Sequence, residues 1–319
     1  MKLEIFQGLK NASYLAITNV LCEVIQFFAM IYVIRTLGPE DYGNWVTIGA
    51  FIGIFGVFTF GGLNKVLIRE GSKDVNRMNE VLEDIIGIRN LCILIAITIC
   101  IIGSFFAPYS SQIKWYIIIY SSTLGINSIK GFVGTIYQAT ENFKSLAILG
   151  IIDKLVYVNS VITILYLGYG LTGLVYSAIA ANLLSVVLHY RISKRFVNFR
   201  FFSSLIIKKA LLKQGITFSI LNFVSGLATR IDLLMISLIG TVYEVGVYAV
   251  AHKLVSQLKM LRNVNSMAFM PMLVKKFNQE SMKGRSLVQS SLILAFFIFV
   301  VGILTHFFAE EIITSIFGS

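Results

Sequence analysis

The sequence predicts an all-α, polytopic membrane helix bundle. The expected form is a two-lobed transporter of parallel six-helix repeats, its second lobe incomplete, with about nine spans in all. Three observations predict it. Hydrophobic residues make up 56% of the 319 and charged residues only 13%, and mean hydropathy is +0.80, whereas a soluble domain carries about 25% charged residues. Apolar runs of roughly 20 residues, the length that crosses a bilayer as helix, recur along the chain; backbone polar groups in lipid must be satisfied internally, so the spans should be helices. Finally, the polar turn Leu37-Gly38-Pro39-Glu40-Asp41-Tyr42-Gly43 is echoed 203 residues later by Ile239-Gly240-Thr241-Val242-Tyr243-Glu244-Val245-Gly246. Each turn joins two apolar runs and is followed by a basic stretch. A unit copied within a membrane protein points to a transporter.

The elements follow in order. Spans 1 and 2 are Asn11–Ile34 and Asn44–Phe60, followed by the polar, basic segment Asn64–Asp84. Span 3, Ile85–Ala107, stops at Pro108, and span 4 is Trp115–Ala139. Spans 5 and 6, Leu146–Leu167 and Leu171–Tyr190, are joined by Gly168-Tyr169-Gly170. The longest basic stretch, Arg191–Lys213, marks a lobe boundary, giving lobes 1–205 and 206–319. Spans 7, 8 and 9 are Gly215–Leu238, Val247–Leu273 and Leu287–Phe308. Three spans of a second six-span lobe leave about three to come, so the chain reads as shortened. Cys22, Cys92 and Cys100 lie within apolar runs without metal-ligand spacing and read as packing residues.

Charge orients the bundle. The net charge of +11 needs no nucleic acid to explain it, because 19 of the 27 Lys and Arg fall at the N-terminus, in links after even-numbered spans, or at their edges. Only Arg35 and Lys114 fall in links after odd-numbered spans. Positive-inside bias then places the N-terminus in the cytoplasm. Six spans separate the two copies, so both enter in the same orientation, related by an axis along the membrane normal.

Polar residues within the spans are costly, about 2.5–3.5 kcal/mol for a charge at mid-bilayer, so their positions are informative. Ala12, Ala16, Asn19, Glu23, Gln26 and Met30 share one face of span 1. Thr123, Asn127, Lys130, Gly134, Tyr137 and Glu141 share one face of span 4. Asn222, with Arg230 and Asp232, marks span 7, and Lys253 marks span 8. These faces are expected to line one hydrated cavity between the lobes; the other reading is interhelical hydrogen bonding. Arg230 and Asp232 are neighbours able to pair, and His252 reads as a bonded, buried histidine. Asp153-Lys154 reads as a snorkelling pair. Gly49, Gly53 and Gly56 read as helix-packing residues, and His189 and His306 carry no role at span ends. No Walker loop, paired-His motif or carboxylate cluster appears, which argues against an enzyme and implies no metal or cofactor.

Arg35-Thr-Leu-Gly-Pro-Glu-Asp-Tyr-Gly-Asn44 and Leu67-Ile-Arg-Glu-Gly71, with Thr229–Gly240 and Glu244–Leu254, resemble the bacterial polysaccharide or oligosaccharide (O-antigen type, Wzx-like) flippases. These belong to the multidrug/oligosaccharidyl-lipid/polysaccharide exporter superfamily. Its members have 12 to 14 spans in two lobes, so nine is a departure. The resemblance implies translocation of undecaprenyl-pyrophosphate-linked oligosaccharide across the bacterial cytoplasmic membrane by alternating access, for surface polysaccharide such as O-antigen or capsule. A polysaccharide polymerase complex is an implied partner. On that reading Lys130, Arg230 and Lys253 hold the pyrophosphate, Asn127 and Asn222 join them, and Tyr137 stacks on sugar. Glu23 and Asp232 are the candidates for ion coupling. Two other readings stand beside it: a cation-coupled multidrug antiporter, which favours an acidic cavity, and a non-transporting scaffold of envelope assembly.

Overall fold

Apolar residues that recur without a polar face build long helices here, because lipid accepts a side chain at any angle around the axis. The computed structural model describes residues 2–59, 62–71, 75–193, 209–253 and 255–256. The described residues form α1 (Lys2–Phe55), a 3₁₀ turn (Gly56–Thr59), α2 (Gly62–Gly71), α3 (Val75–Phe106), α4 (Ser111–Tyr120) and α5 (Ser122–Ala139). They continue as α6 (Phe143–Tyr166), α7 (Gly170–Ser193), α8 (Lys209–Ala228) and α9 (Ile231–Ile239), then α10 (242–253). Span 9 and the basic stretch 275–285 lie outside the described residues.

Among the described residues, four helices are long and apolar enough to cross a membrane, or five if the bent pair α8–α9 is one span. One of the four is the Ser13–Thr59 stretch of α1 and the 3₁₀ turn. At 1.5 Å per residue α1 would extend about 80 Å, far beyond a hydrocarbon core of about 30 Å. It is broken at Gly38, whose φ of 74° is non-helical, with Pro39 opening the second segment. Positive φ suits glycine, and proline suits a first helical position. The contacts on either side of the break require a reversal of direction. Glu23 meets Lys253, Gly43 meets Val242 and Gly246, Gly53 meets Arg230, and Gly62 meets Gly215 and Ser219. The second segment of α1 thus runs antiparallel to α8 and α9. Span 4 appears as α4 and α5 joined at Ser121; Lys130 and the other polar residues of α5 keep it out of the apolar set.

The two turns singled out in the sequence pack on each other. A Cβ on Gly43 would overlap the Val242 carbonyl oxygen, and one on Gly246 would overlap the Pro39 carbonyl oxygen. Pro39 and Val242 are 203 residues apart, as are Gly43 and Gly246, so the two overlaps are the same contact made twice about a local two-fold axis. The second turn also carries a reciprocal cap. Thr241 N–H donates to Glu244 Oε2 at 2.7 Å, and Glu244 N–H donates to Thr241 Oγ1 at 3.3 Å. Those contacts with Thr241 hold the Glu244 carboxyl below its ordinary value.

Two buried clusters hold the helices together. One gathers Ile34, Ile48, Cys100, Ile117 and Val175 from α1, α3, α4 and α7. The other gathers Leu67, Ile85, Ile136, Tyr137 and Leu149 from α2, α3, α5 and α6. Ile17, Phe28, Leu94 and Phe105 are exposed on the outside. That distribution suits a lipid-facing surface and not a water-facing one. Cys100 sits in the first cluster, and Cys22 Sγ lies 3.6 Å from the Gly150 carbonyl oxygen.

Candidate substrate cavity

The second segment of α1 carries glycines at 49, 53 and 56, which leave one side of the helix bare. A cavity of about 620 Å³ opens there, walled also by α2, α3, α5 and the bend between α8 and α9. The sequence predicts that these glycines pack helix on helix. Instead a Cβ at Gly49 would meet nothing within 4 Å, and one at Gly53 would overlap the Arg230 guanidinium. Their small size makes room for a cavity and for an arginine.

Two guanidiniums face this space. Arg89, on α3, is 3% exposed. Its Nε donates to Ser128 Oγ at 2.9 Å and its Nη1 to Asn64 Oδ1 at 3.0 Å. Its other Nη donates to the Ser128 carbonyl oxygen, and the guanidinium lies 4.7 Å from the centre of the Phe132 ring. A buried charge is tolerated when hydrogen bonds and a ring face replace its water. Arg230 sits where α8 and α9 meet at 53°, directly before the first residue of α9. It makes no ion pair among the described residues. Asn127, Asn64, Thr123 and Thr59 add hydrogen-bonding groups, and no carboxylate lines the cavity among the described residues. One fixed and one movable guanidinium, with no carboxylate among the described lining residues, are chemically suited to a polyanionic group.

The residues expected at one cavity are distributed over several places. Asn127 and Arg230 line it. Lys130 does not. Its ammonium turns between α6 and α7, 3.2 Å from Asn182 Oδ1 and 3.8 Å from Asp153 Oδ2. Lys253 borders a second cavity of about 210 Å³ with Gln26, Tyr42 and Trp45, 3.9 Å from Glu23 Oε2. Tyr137 is fully buried in the second apolar cluster and offers no face to a sugar. Asn222 lies on an exposed side of α8. Asp232 does not pair with Arg230: it accepts from Tyr248 Oη at 2.8 Å and faces His252 Nε2 at 3.5 Å. The three cations therefore do not share one opening, and Arg89 replaces two of them beside Arg230.

Helical geometry gives the reason. The α5 residues that line the cavity, Thr123, Leu124, Asn127, Ser128 and Gly131, centre about 70° around the helix from the stripe through Lys130, Gly134 and Tyr137. The sequence locates the polar side of α5 but not which neighbour faces each edge. Arg89, at the start of span 3, has the sequence position of an orienting charge. Asp153 and Lys154 are no snorkelling pair: Asp153 is held by His189 and Ser185 inside the bundle, and Lys154 donates to Gln26 Oε1. His189, given no role by its place at a span end, is buried.

Comparison with known proteins places this geometry in a family. No curated protein matches the chain. Solved structures share its fold at low identity. An inward-facing multidrug resistance MATE family transporter of the MOP superfamily aligns with a TM-score of 0.68 at 13% identity, covering 94% of this chain and 75% of that one. The MATE multidrug transporter DinF-BH gives 0.63 at 15%, covering 98% and 76%. An outward-facing MATE family transporter gives 0.62 at 15%, covering 95% and 74%. The polysaccharide biosynthesis protein family matches residues 8–277, and this all-helical, multi-pass membrane chain belongs to that family.

Proposed function

We propose that this protein moves a lipid-linked oligosaccharide across the cytoplasmic membrane, with its pyrophosphate seated between Arg89 and Arg230. The carboxylate-free cavity bearing two guanidiniums carries this reading. A pyrophosphate pairs with planar donor forks, and each contact gains strength where water is scarce. Arg89 is fixed by Asn64 and Ser128, so it supplies an ordered half-site on the first lobe. Arg230 comes from the second lobe, so the cargo would bridge the two. Asn127, Thr123 and Thr59 offer hydrogen bonds to the first sugar. The lobes are read as 1–205 and 206–319, with the N-terminus in the cytoplasm.

The cavity lies along α1 between two close contacts of the lobes. One is the turn pair Gly43 and Gly246. The other is Gly62, whose N–H donates to Ser219 Oγ at 3.3 Å. Opening one contact while the other holds would expose the cavity to one side at a time. The multidrug antiporter reading draws on the MATE neighbours, but a cationic drug is repelled by two guanidiniums without a facing carboxylate.

Arg230→Ala should abolish surface glycan at unchanged membrane levels of the protein. Arg89→Ala should also abolish glycan, but with lower abundance and a stability loss of about 1–3 kcal/mol, since Asn64 and Ser128 lose their partner inside the protein. Glycan display and protein abundance are measured together in cells lacking the native gene. Normal glycan in Arg230→Ala would reject the pyrophosphate site.

A further inference from the structure

The second cavity, of about 210 Å³, shares a helix with the first: Trp45 borders it, and the next residue, Val46, borders the larger one. Its floor is apolar, with Met30, Val33 and Val158 among the residues that form it. Tyr42, Trp45 and Tyr157 bring aromatic rings to it, and the Gln26 amide and Lys253 ammonium stand at its edge. The Trp45 and Tyr120 rings meet edge to face, their centroids 5.2 Å apart. Tyr120 lines the first cavity, so this aromatic pair stands where the two cavities adjoin. Tyr157 lies near both Tyr42 and Tyr120.

The fold leaves the polar ends of these rings unmet. Tyr42 is 7% exposed, yet neither its hydroxyl, nor those of Tyr120 and Tyr157, nor the Trp45 indole N–H has a hydrogen-bond partner among the described residues. Buried tyrosine and tryptophan usually find a partner, because an unmade bond away from water is costly. Phenylalanine would fill the same space without that cost. The groups must therefore be met by something that enters: water while the cavity is empty, and a ligand when it is loaded. The ligand needs an apolar face for the rings and hydroxyls at its edge for the phenols and the indole. A sugar ring has both. An isoprenoid chain would satisfy none of the polar groups. Size agrees, since drug-sized ligands occupy cavities of about 300–1,000 Å³ and this one suits a single ring. Lys253 is matched by Glu23 at 3.9 Å, so the cavity has no spare charge with which to select an acidic sugar.

We propose that the second cavity is a subsite for one neutral sugar ring of the cargo, stacked on Trp45 and hydrogen-bonded by Tyr42, Tyr157 and the Trp45 N–H. The inference rests on the glycan reading above and deepens it. The pyrophosphate and first sugar occupy the large cavity, and a later ring of the same glycan passes the Trp45–Tyr120 pair into the small one. The arginines hold what every such lipid has in common, and the aromatic cavity tests which glycan it carries.

The test uses the full chain in lipid nanodiscs and two probes. One is undecaprenyl pyrophosphate, which has the head group and no sugar; the other is the same lipid bearing the glycan repeat unit, purified from the host's membranes. Wild type should hold the glycosylated lipid about tenfold or more tighter than the bare one, the scale on which a buried aromatic anchor acts. Trp45→Ala should reduce that ratio to about threefold or less and leave affinity for the bare lipid unchanged. Y42F/Y157F, which removes two hydroxyls and keeps both rings, should do the same and serves alone should Trp45→Ala not fold. Equal binding of the two lipids by wild type overturns the proposal, as does a ratio that either folded variant leaves in place. A loss of bare-lipid affinity in these variants also overturns it, because the isoprenoid chain would then occupy the cavity. Failure of the pyrophosphate site shows differently: Arg230→Ala would bind both lipids as wild type does, and the ratio between them would still be readable.

Discussion

Arg230 and Gly53 show how one residue's chemistry depends on another's emptiness. Arg230 reaches the cavity only because position 53 has no Cβ; a methyl there would occupy the place of the guanidinium. The obstructing atoms are the far end of a flexible side chain and not backbone, so the arginine can yield while the fold stays. Gly53→Ala is therefore expected to reproduce the glycan defect of Arg230→Ala, with thermal stability in detergent close to wild type. A large drop in melting temperature would instead mean that Gly53 serves packing. Arg89 is the opposite kind of residue. Its fork is committed to Asn64 and Ser128, so Arg89→Lys, which keeps the charge and loses the planar fork, should restore abundance without restoring glycan.

At the scale of elements, the helical hairpins are joined by turns that also pack together. Backbone lies against backbone where Gly43 meets Val242 and Gly246 meets Pro39. Neither partner is the tip of a side chain that could swing aside. Gly43→Ala and Gly246→Ala should each push the turns apart and cost about 1–3 kcal/mol, as overpacking does, read as a lower melting temperature of the purified protein. Because the two contacts are copies related by a local two-fold, the two losses should be similar. Strongly unequal losses would show that the repeat is not symmetric in energy. The broken pair α8–α9 has a different purpose from these hairpins: its bend presents Arg230 to the cavity.

At the scale of the whole molecule, the proposed lobes meet at Gly43 and Gly246 and again at Gly62 and Ser219, and the cavity lies between those two contacts. Orientation can be checked independently of transport. Alkaline phosphatase inserted at Tyr169, in the link after span 5, should be active, and inserted at Asn142, in the link after span 4, inactive. The reverse pattern would invert the bundle and the proposed direction of transport with it.

Much of this was legible in the sequence. The apolar runs gave helices because lipid leaves the backbone no other way to satisfy its polar groups. The repeated turn Leu37–Gly43 and Ile239–Gly246 announced a copied unit, and its glycines are where the copies meet. Asn127 and Arg230, which line the cavity, stand out in the sequence because polar residues within apolar helices are few. What only the tertiary structure decided was direction. A helix of 3.6 residues per turn places Asn127 and Lys130 about 60° apart, and a flexible lysine can turn either way. Which way it turns depends on Asp153 and Asn182, distant in sequence and brought near only by packing. For the same reason Arg89 came to line the cavity and His189 became a buried partner of Asp153: the order of residues reveals which side chains are costly to bury, and the fold alone supplies the groups that offset the cost.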